Sequence, residues 1–189
     1  MAAAPTVILG AGLSGLSVAR ALLRRRPGAP IVLVDRRTSW ERDRTWCFWD
    51  THDLPDAELA TARWSAWNTV GHGGAFTQYS RRHPYVHLPA DRFYEASLHE
   101  LSKARNVDLQ TDTRVLDVRG SRQRSIVVET SRGELHATAV VDAMGGSGPL
   151  LRNRDAGSVE LSQRFVGLEV EVEHPIFDPS TATLMDFRV

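Results

Sequence analysis

The sequence predicts an α/β protein, and three features of its 189 residues carry that prediction. An apolar run at 7–9 is followed by glycines and then by leucine and alanine at helical spacing, which indicates a strand and a helix. A second apolar run at 31–34 completes a strand–helix–strand unit, which is parallel and right-handed in nearly all proteins. A third apolar stretch, Ala139–Gly146, also ends in glycine. The balance of 42% hydrophobic and 24% charged residues is that of a globular chain.

The elements of the first unit have clear sequence limits. The helix begins near Leu13 and ends at Pro27, with Arg24–Arg26 at the end where the helix dipole favours cations. From Thr38 to about Pro89 the pattern weakens, and we interpret this stretch as an excursion. It is predicted to contain loops, a short helix at about 56–62, and two strands at about 76–80 and 85–88.

The second half of the chain shows clearer periodicity. Asp91 is predicted to be the N-cap of a helix that runs to about Ala104. The stretches 106–120 and 125–146 alternate in polarity, which indicates strands, and Gly133 marks a hairpin turn between two of them.

The glycines after the first strand follow the spacing of a Rossmann dinucleotide site. Gly10 permits a tight turn, Gly12 lets a pyrophosphate approach the backbone, and Gly15 lets the helix pack on the strand. The phosphates then lie at the helix N-terminus, with Ser14 as a polar neighbour. Asp35 lies at the end of the second strand, where a carboxylate accepts hydrogen bonds from a ribose 2′-OH. Together these features predict a bound dinucleotide.

The identity of the dinucleotide follows from charge and from the third apolar stretch. Arg36, with Arg37 beside it, is a candidate for contact with the cofactor, but Asp35 would repel a 2′-phosphate, which favours FAD or NAD over NADP at this position. A late parallel strand that ends in glycine after a β-meander is typical of FAD-binding Rossmann domains. We therefore favour FAD over NAD and predict that Gly145 contacts it.

Composition excludes several classes of protein. The formal net charge is zero, so a nucleic-acid partner is not expected. Cys47 is the only cysteine, so no internal disulfide is predicted. The N-terminus has no pattern of a secretory signal and no apolar run is long enough to span a membrane, which predicts a cytoplasmic protein and leaves a peripheral membrane contact open. The histidines lack the spacing of metal ligands, so no metal is expected.

Two further stretches, together with the glycine motif, resemble the lycopene cyclase family of flavoproteins. These are "RTWCFWD" at Arg44–Asp50 and "FVGLEVEVEHPIFDPSTATLMDFRV" at Phe165–Val189. The resemblance implies a glutathione-reductase-type FAD domain, reduced FAD as cofactor and NADPH as its reductant. It also implies that linear carotenes are the substrates and that their ends are closed into rings by protonation, cation formation and loss of a proton, with no net redox change.

The same resemblance nominates residues for this chemistry. It implies that Glu169 is the acid, Asp186 is a catalytic or flavin-proximal carboxylate and Trp46 contacts the cofactor. Alternation along 165–173 predicts a strand that places Glu169 on one face with two other glutamates, and neighbouring carboxylates raise one another's pKa. All five tryptophans lie between Trp40 and Trp67, which indicates either a cation-stabilising wall or a local packing cluster.

The predicted domains are an FAD domain at 1–155, with the excursion at about 38–90, and the beginning of a β-rich substrate domain at 156–189. The chain is about half as long as the resemblance implies, and no glycine in it precedes an aspartate as in the late flavin segment of this fold. We therefore expect a truncated chain that retains FAD weakly by itself, or one that needs a partner chain for the C-terminal half. The alternatives are an FAD-dependent monooxygenase or isoprenoid reductase, and a non-catalytic dinucleotide-binding remnant.

Overall fold

The computed structural model describes residues 4–51, 56–120, 126–151, 166–168, 170–174 and 176–188. The chain forms two compact units. The first combines Met1–Asp43 with Ala90–Ser158, and the second combines Arg44–Pro89 with Val159–Val189. The predicted excursion therefore belongs to the same unit as the C-terminal segment.

The described residues form thirteen strands and two α-helices. In chain order the strands are β1 (Thr6–Leu9), β2 (Ile31–Val34), β3 (Thr45–Trp49), β4 (Ala62–Trp64), β5 (Ala66–Gly71), β6 (Gly74–Tyr79), β7 (Tyr85–Pro89), β8 (Val107–Gln110), β9 (Val115–Arg119), β10 (Ile126–Thr130), β11 (Gly133–Ala137), β12 (Ala139–Asp142) and β13 (Thr181–Asp186). The helices are α1 (Leu13–Arg25) and α2 (Ala90–Ser102), and short 3-10 turns cover Ala57–Leu59, Gly145–Ser147 and Pro149–Leu151.

The first unit is built on a parallel sheet with the strand order β12-β1-β2-β8. β1 pairs in parallel with β2 on one side and with β12 on the other, so the predicted strand–helix–strand unit and the returning strand are confirmed. The carboxyl ends of β1, β2 and β12 meet at one edge of this sheet. Such an edge is where ligands bind in open α/β sheets.

The two faces of the parallel sheet are covered differently. Val7, Leu9 and Val34 on one face pack with Val128 and Ala137 of the antiparallel meander β11-β10-β9. Because side chains alternate along a strand, the intervening residues of β1 and β2 point to the other face, where α1 contacts both strands. The core of the unit is therefore this sheet with the meander on one face and helix on the other.

An ion-pair network joins the two helices. Arg20 on α1 is buried and donates from Nε to Oε2 of Glu100 on α2 at 2.5 Å and from Nη1 to the hydroxyl of Ser97 at 3.3 Å. Arg24, one turn further along α1, donates to Oε1 of the same glutamate at 3.1 Å. The guanidinium of Arg20 also lies 5.9 Å from the ring centroid of Phe93. These contacts fix α2 beside α1.

The second unit contains two small sheets, β3-β7-β4 and β13-β5-β6. In the first, β7 pairs antiparallel with both neighbours. In the second, β5 pairs antiparallel with β6 and parallel with β13, with a shift of register between Thr183 and Met185. The strands predicted near 76–80 and 85–88 are confirmed as β6 and β7.

Several sequence predictions are wrong in detail. Helix α2 begins at Ala90, directly after strand β7, so Asp91 lies in the first turn and is not the N-cap. The short helix predicted at 56–62 is a single 3-10 turn over Ala57–Leu59. Strands β3, β4 and β5 were not predicted, because the residue types of β3 and β5 do not alternate between apolar and polar along the sequence and β4 has only three residues.

The predicted strand over 165–173 is not present in the part of it that the structure describes. Residues 166–168 and 170–173 form no strand, and Val166, Leu168 and Val170 are 98%, 91% and 67% exposed. A segment with alternating apolar and acidic residues forms a strand only where another strand pairs with it. The described residues of this segment have no such partner.

Candidate functional site

The glycine turn at the end of β1 has a geometry that only glycine permits at two positions. Gly10 adopts a φ of +90°, and a Cβ there would lie 3.0 Å from the carbonyl oxygen of Ala143. A Cβ at Gly15 would overlap the carbonyl oxygen of Gly10. These two glycines therefore let α1 and the loop after β12 approach the turn, which confirms the packing that the motif predicts.

The middle glycine is free of such crowding. The nearest atom to a Cβ at Gly12 is Nη2 of Arg37 at 3.8 Å, so the backbone is open on this side. Gly12 is also the N-cap of α1, with no side-chain cap, and no acidic residue lies in the first turn of the helix. Ser14 is exposed in that turn. The first N–H groups of a helix have no intrahelical acceptors, so this end presents donors and positive potential to an anion.

Asp35 lies at the end of β2 beside the turn, as predicted, and only 8% of it is exposed. Its Oδ2 accepts hydrogen bonds from the backbone N–H of Ala11 at 2.7 Å and from Nη2 of Arg37 at 3.1 Å. Its Oδ1 accepts from the backbone N–H of Arg37 at 2.8 Å and from Nε at 3.1 Å. Burial alone would raise the pKa of Asp35, but the hydrogen bonds from Arg37 and Ala11 outweigh it and hold that pKa below its ordinary value.

The guanidinium of Arg37 joins four parts of this site. Beyond Asp35, it donates to the carbonyl oxygen of Ala11 at 2.9 Å and to the hydroxyl of Tyr94 at 3.3 Å. It also lies 5.3 Å from the ring centroid of Trp40 and 5.4 Å from that of Tyr94. Trp40 in turn donates its indole N–H to the carbonyl of Ala11 at 2.8 Å. Burial opposes the charge of Arg37, but the bonds to Asp35 and Tyr94 raise its pKa.

Sequence reasoning named Arg36 as the candidate arginine, and the structure places Arg37 in the site instead. The side chain of Arg36 is exposed. The sequence contains a signal that favours Arg37. Residues two apart in an extended segment point to the same side, and Arg37 is two residues after Asp35. Trp40 and Tyr94 could not have been found this way, since Tyr94 reaches the site from helix α2.

The loop after β12 packs against the glycine turn. Asp142, the last residue of β12, accepts hydrogen bonds from the backbone N–H groups of Met144 at 3.1 Å and Leu150 at 3.1 Å. Its carboxylate fills the space that a Cβ at Gly148 would need. Gly145 has a φ of +66° and open space around it. The predicted contact of Gly145 with a cofactor stays a prediction, but the residue lies in the loop whose Ala143 leaves no room for a Cβ at Gly10.

The other predicted site residues belong to the second unit. Trp46 lies half-buried in β3 opposite Leu88. Asp186 is the exposed last residue of β13 and forms an ion pair with Arg188. Hydrogen bonds from the side chain and backbone of Arg188 lower the pKa of Asp186 to about 2. Such a carboxylate is ionised at neutral pH and is no proton donor, so a catalytic Asp186 would act as a base or a charge. Glu169 lies outside the described residues.

The five tryptophans are divided between the two units. Trp40 belongs to the first unit, and the other four belong to the second. There, the ring of Trp49 lies 5.7 Å from that of Trp67 and 5.0 Å from that of Tyr85, and Tyr85 lies 6.3 Å from Trp64. These rings pack between strands, and Trp49 remains 44% exposed.

The described residues include several potential metal ligands and two α-helices. No group of three or more His, Cys, Asp or Glu side chains among them is arranged to hold a metal ion. Neither α1 nor α2 has the length and apolar character that a membrane-spanning helix requires.

Comparison with known proteins places the chain in a family. The family model described as lycopene cyclase protein matches residues 6–189. Curated protein sequences give no match. Among solved structures, the chain is similar to the flavin-dependent monooxygenase PieE, in complex with FAD and substrate, with 16% identity and a TM-score of 0.63 over 79% of this chain and 31% of PieE.

Two other solved structures are also similar to this chain. PqsL from Pseudomonas aeruginosa, a probable FAD-dependent monooxygenase, has 16% identity and a TM-score of 0.64 over 86% of this chain and 48% of PqsL. The halogenase PltM has 14% identity and a TM-score of 0.61 over 80% of this chain and 37% of PltM. At these identities the likeness shows the fold, a mixed α/β architecture with a Rossmann-like domain. The chain spans a third to a half of the length of these structures.

Proposed function

The chain belongs to the lycopene cyclase protein family, and from that premise we propose that it is a flavoprotein that closes the ends of linear carotenes into rings. The first unit would bind FAD, which the similar structures of PieE and a PltM variant contain. The second unit would begin the β-rich substrate domain of a glutathione-reductase-type fold. NADPH is the proposed reductant of the flavin.

The glycine turn is the observation that carries the proposal. Gly12 leaves the backbone open at the N-terminus of α1, while Gly10 and Gly15 bring the β12 loop and the helix close around it. An anionic diphosphate fits such a site, because the helix end supplies N–H donors and no carboxylate in the first turn repels it. Ser14 and Gly145 would border the same ligand.

The cyclisation needs an acid, a base and an apolar surface that tolerates a cation. When bound, reduced FAD would stabilise the cationic transition state without net electron transfer. We propose Glu169 as the residue that protonates the terminal double bond. Asp186, held as a carboxylate by Arg188, would accept a proton or stabilise positive charge. Trp46 would border the substrate or the flavin.

Partners and location are also proposals. A linear carotene is strongly apolar, so a cytoplasmic enzyme that uses it would work at the membrane surface. The similar structures are two to three times as long as the matched region, so further chain or a partner chain would complete the substrate domain.

Pigment complementation tests the activity. Expressed with any adjoining coding sequence in a host that makes lycopene, the protein should shift the pigment from red to orange-yellow. Glu169→Gln should leave it red because the acid is lost, whereas the matched variant Glu171→Gln, which changes a neighbouring exposed carboxylate, should keep the shift. A red pigment with the unaltered protein at normal expression would contradict the proposed cyclase activity.

A second candidate function is suggested by the similar structures, since PieE is a flavin-dependent monooxygenase. A monooxygenase would consume NADPH and O₂ with an apolar substrate, which a cyclase would not do in stoichiometric amounts. Oxygen uptake measured with NADPH, FAD and lycopene therefore separates the two. A non-catalytic dinucleotide-binding remnant would bind nucleotide and give neither signal.

A further inference from the structure

The carboxylate that should accept the ribose hydroxyls has no acceptor position left. A carboxylate offers about four lone-pair sites, two on each oxygen. In Asp35 the Oδ2 sites are taken by Ala11 N–H at 2.7 Å and Arg37 Nη2 at 3.1 Å. The Oδ1 sites are taken by the backbone N–H of Arg37 at 2.8 Å and its Nε at 3.1 Å. A ribose hydroxyl must therefore replace one of these donors.

The two kinds of donor differ in how easily they can leave. The N–H groups of Ala11 and Arg37 belong to the backbone of the glycine turn and of the segment after β2, so they are fixed by the fold. The guanidinium of Arg37 is at the end of a flexible side chain, 28% of which is exposed. Its two bonds to Asp35 are therefore the ones that a ligand can displace.

The guanidinium also lies where the ligand would enter. Its Nη2 is the atom nearest to the open face of Gly12, 3.8 Å from a Cβ built there. Hydrogen bonds to Ala11 and Tyr94 and contacts with the rings of Trp40 and Tyr94 hold it in that place. Arg37 therefore stands between the diphosphate position and the ribose acceptor.

We infer that Arg37 is a displaceable occupant of the ribose subsite, and that a bound adenine dinucleotide takes its place at Asp35. The inference rests on the proposed function, because it concerns the same nucleotide site. Arg37 itself cannot accept a hydrogen bond from a ribose hydroxyl. It sets the nucleotide affinity because it competes with the hydroxyls for Asp35. The hydroxyls gain bonds to Asp35 only at the cost of the Arg37 ion pair, so their net contribution to binding is small.

A comparison of two nucleotides tests this competition. ADP carries both ribose hydroxyls, and 2′,3′-dideoxy-ADP carries neither, while the diphosphate is the same. In the unaltered chain the two dissociation constants, measured by titration calorimetry, should agree within about twofold. In Arg37→Met, which removes the charge and keeps an apolar side chain between the aromatic rings, ADP should bind about tenfold more tightly than the dideoxy compound.

The ratio isolates the ribose subsite from other effects. Loss of the positive charge near Gly12 weakens both nucleotides equally and cancels in the ratio. An equal ratio in the unaltered chain and in Arg37→Met, or a larger one in the unaltered chain, would overturn the inference and leave the proposed nucleotide site intact. If neither nucleotide binds the unaltered chain or the variant, the proposed site itself fails.

A measurement on the unaltered chain covers the case in which Arg37→Met does not fold. The Nε–H resonance of Arg37, assigned by its absence in Arg37→Lys, reports the bond to Asp35. Saturating ADP should shift this resonance and speed its exchange with water, and 2′,3′-dideoxy-ADP should change it much less. An identical response to both nucleotides would show that the hydroxyls do not displace the guanidinium, which contradicts the inference.

Discussion

The two units of this chain differ in how completely they bury their apolar residues. In the first, residues such as Ile8 and Leu33 are 0% exposed between the meander and the helices. In the second, Phe76 is 67%, Tyr79 is 77% and Phe187 is 59% exposed. The first unit thus has an interior of its own, whereas much of the apolar surface of the second lies open to solvent.

This difference shows where local pattern determines structure. The two central strands of the parallel sheet, β1 and β2, are almost fully buried and read as short apolar runs, which is the signal of strands covered on both faces. In the second unit, β5 and β6 pair as a local hairpin, whereas β13 pairs with β5 from more than a hundred residues away. Exposed faces of this kind are typical of surfaces that contact other parts of a protein or a ligand.

The largest expected effect of a single substitution is at the glycine turn of the first unit. Gly15→Ala should lower the free energy of unfolding by about 4 kcal/mol or more, because its Cβ would overlap the backbone oxygen of Gly10. Urea denaturation followed by circular dichroism measures the change. Gly12→Ala is the matched control and should cost about 1 kcal/mol, because alanine is a poorer N-cap than glycine although the added Cβ has room. Equal losses in both variants would show that the close approach at Gly15 is not what holds the turn.

A pair of core and surface truncations tests the contrast between the units directly. Leu33→Ala, in the buried sheet, should cost about 3 kcal/mol through lost burial and a cavity. Phe76→Ala, on the exposed strand β6, should change stability by less than about 0.5 kcal/mol in the isolated chain. Thermal denaturation of the two variants side by side gives the comparison. A large loss for Phe76→Ala would mean that its side chain is covered in solution.

The ion pair between the helices should contribute less than the core. Glu100→Gln removes the partner of the buried Arg20, and we expect a loss of about 1–2 kcal/mol because Glu100 is partly solvated. The double variant Arg20→Met with Glu100→Leu should recover most of this loss, since apolar side chains of similar size need no partner. Chemical denaturation of the single and double variants is the measurement. If the double variant were less stable than Glu100→Gln, the pair would itself be net stabilising.

The smallest expected effect is a dependence of stability on pH. The folded-state pKa of Asp35 is below its unfolded value, so its contribution is fully present above the ordinary aspartate pKa of about 4 and is lost as the pH falls through the folded-state value. Arg37→Met should reduce this acid-side loss, because the hydrogen bonds that lower the pKa are gone. Melting temperatures from pH 6 down to pH 2 record both curves. Parallel curves would exclude Arg37 as the cause of the lowered pKa.

The sequence by itself determined the first strand–helix–strand unit, the glycine turn and the position of Asp35. These features depend on residues close in the chain and on burial of short apolar runs, so the pattern contains the information. It also indicated the returning strand β12, and Ala143, directly after that strand, leaves no room for a Cβ at Gly10. The resemblance in three short motifs pointed to the family that the comparison then showed.

Only the tertiary structure decided which arginine reaches Asp35, which aromatic rings enclose it and where the excursion belongs. Tyr94 comes to the site from α2, and α2 is placed by the partly buried pair of Arg20 and Glu100, whose separation in sequence gives no signal. The pairing of β13 with β5 likewise joins distant segments and has no signal in the sequence. Contacts between distant segments depend on the shape and charge of surfaces that exist only after each segment has folded, and a linear pattern does not record them.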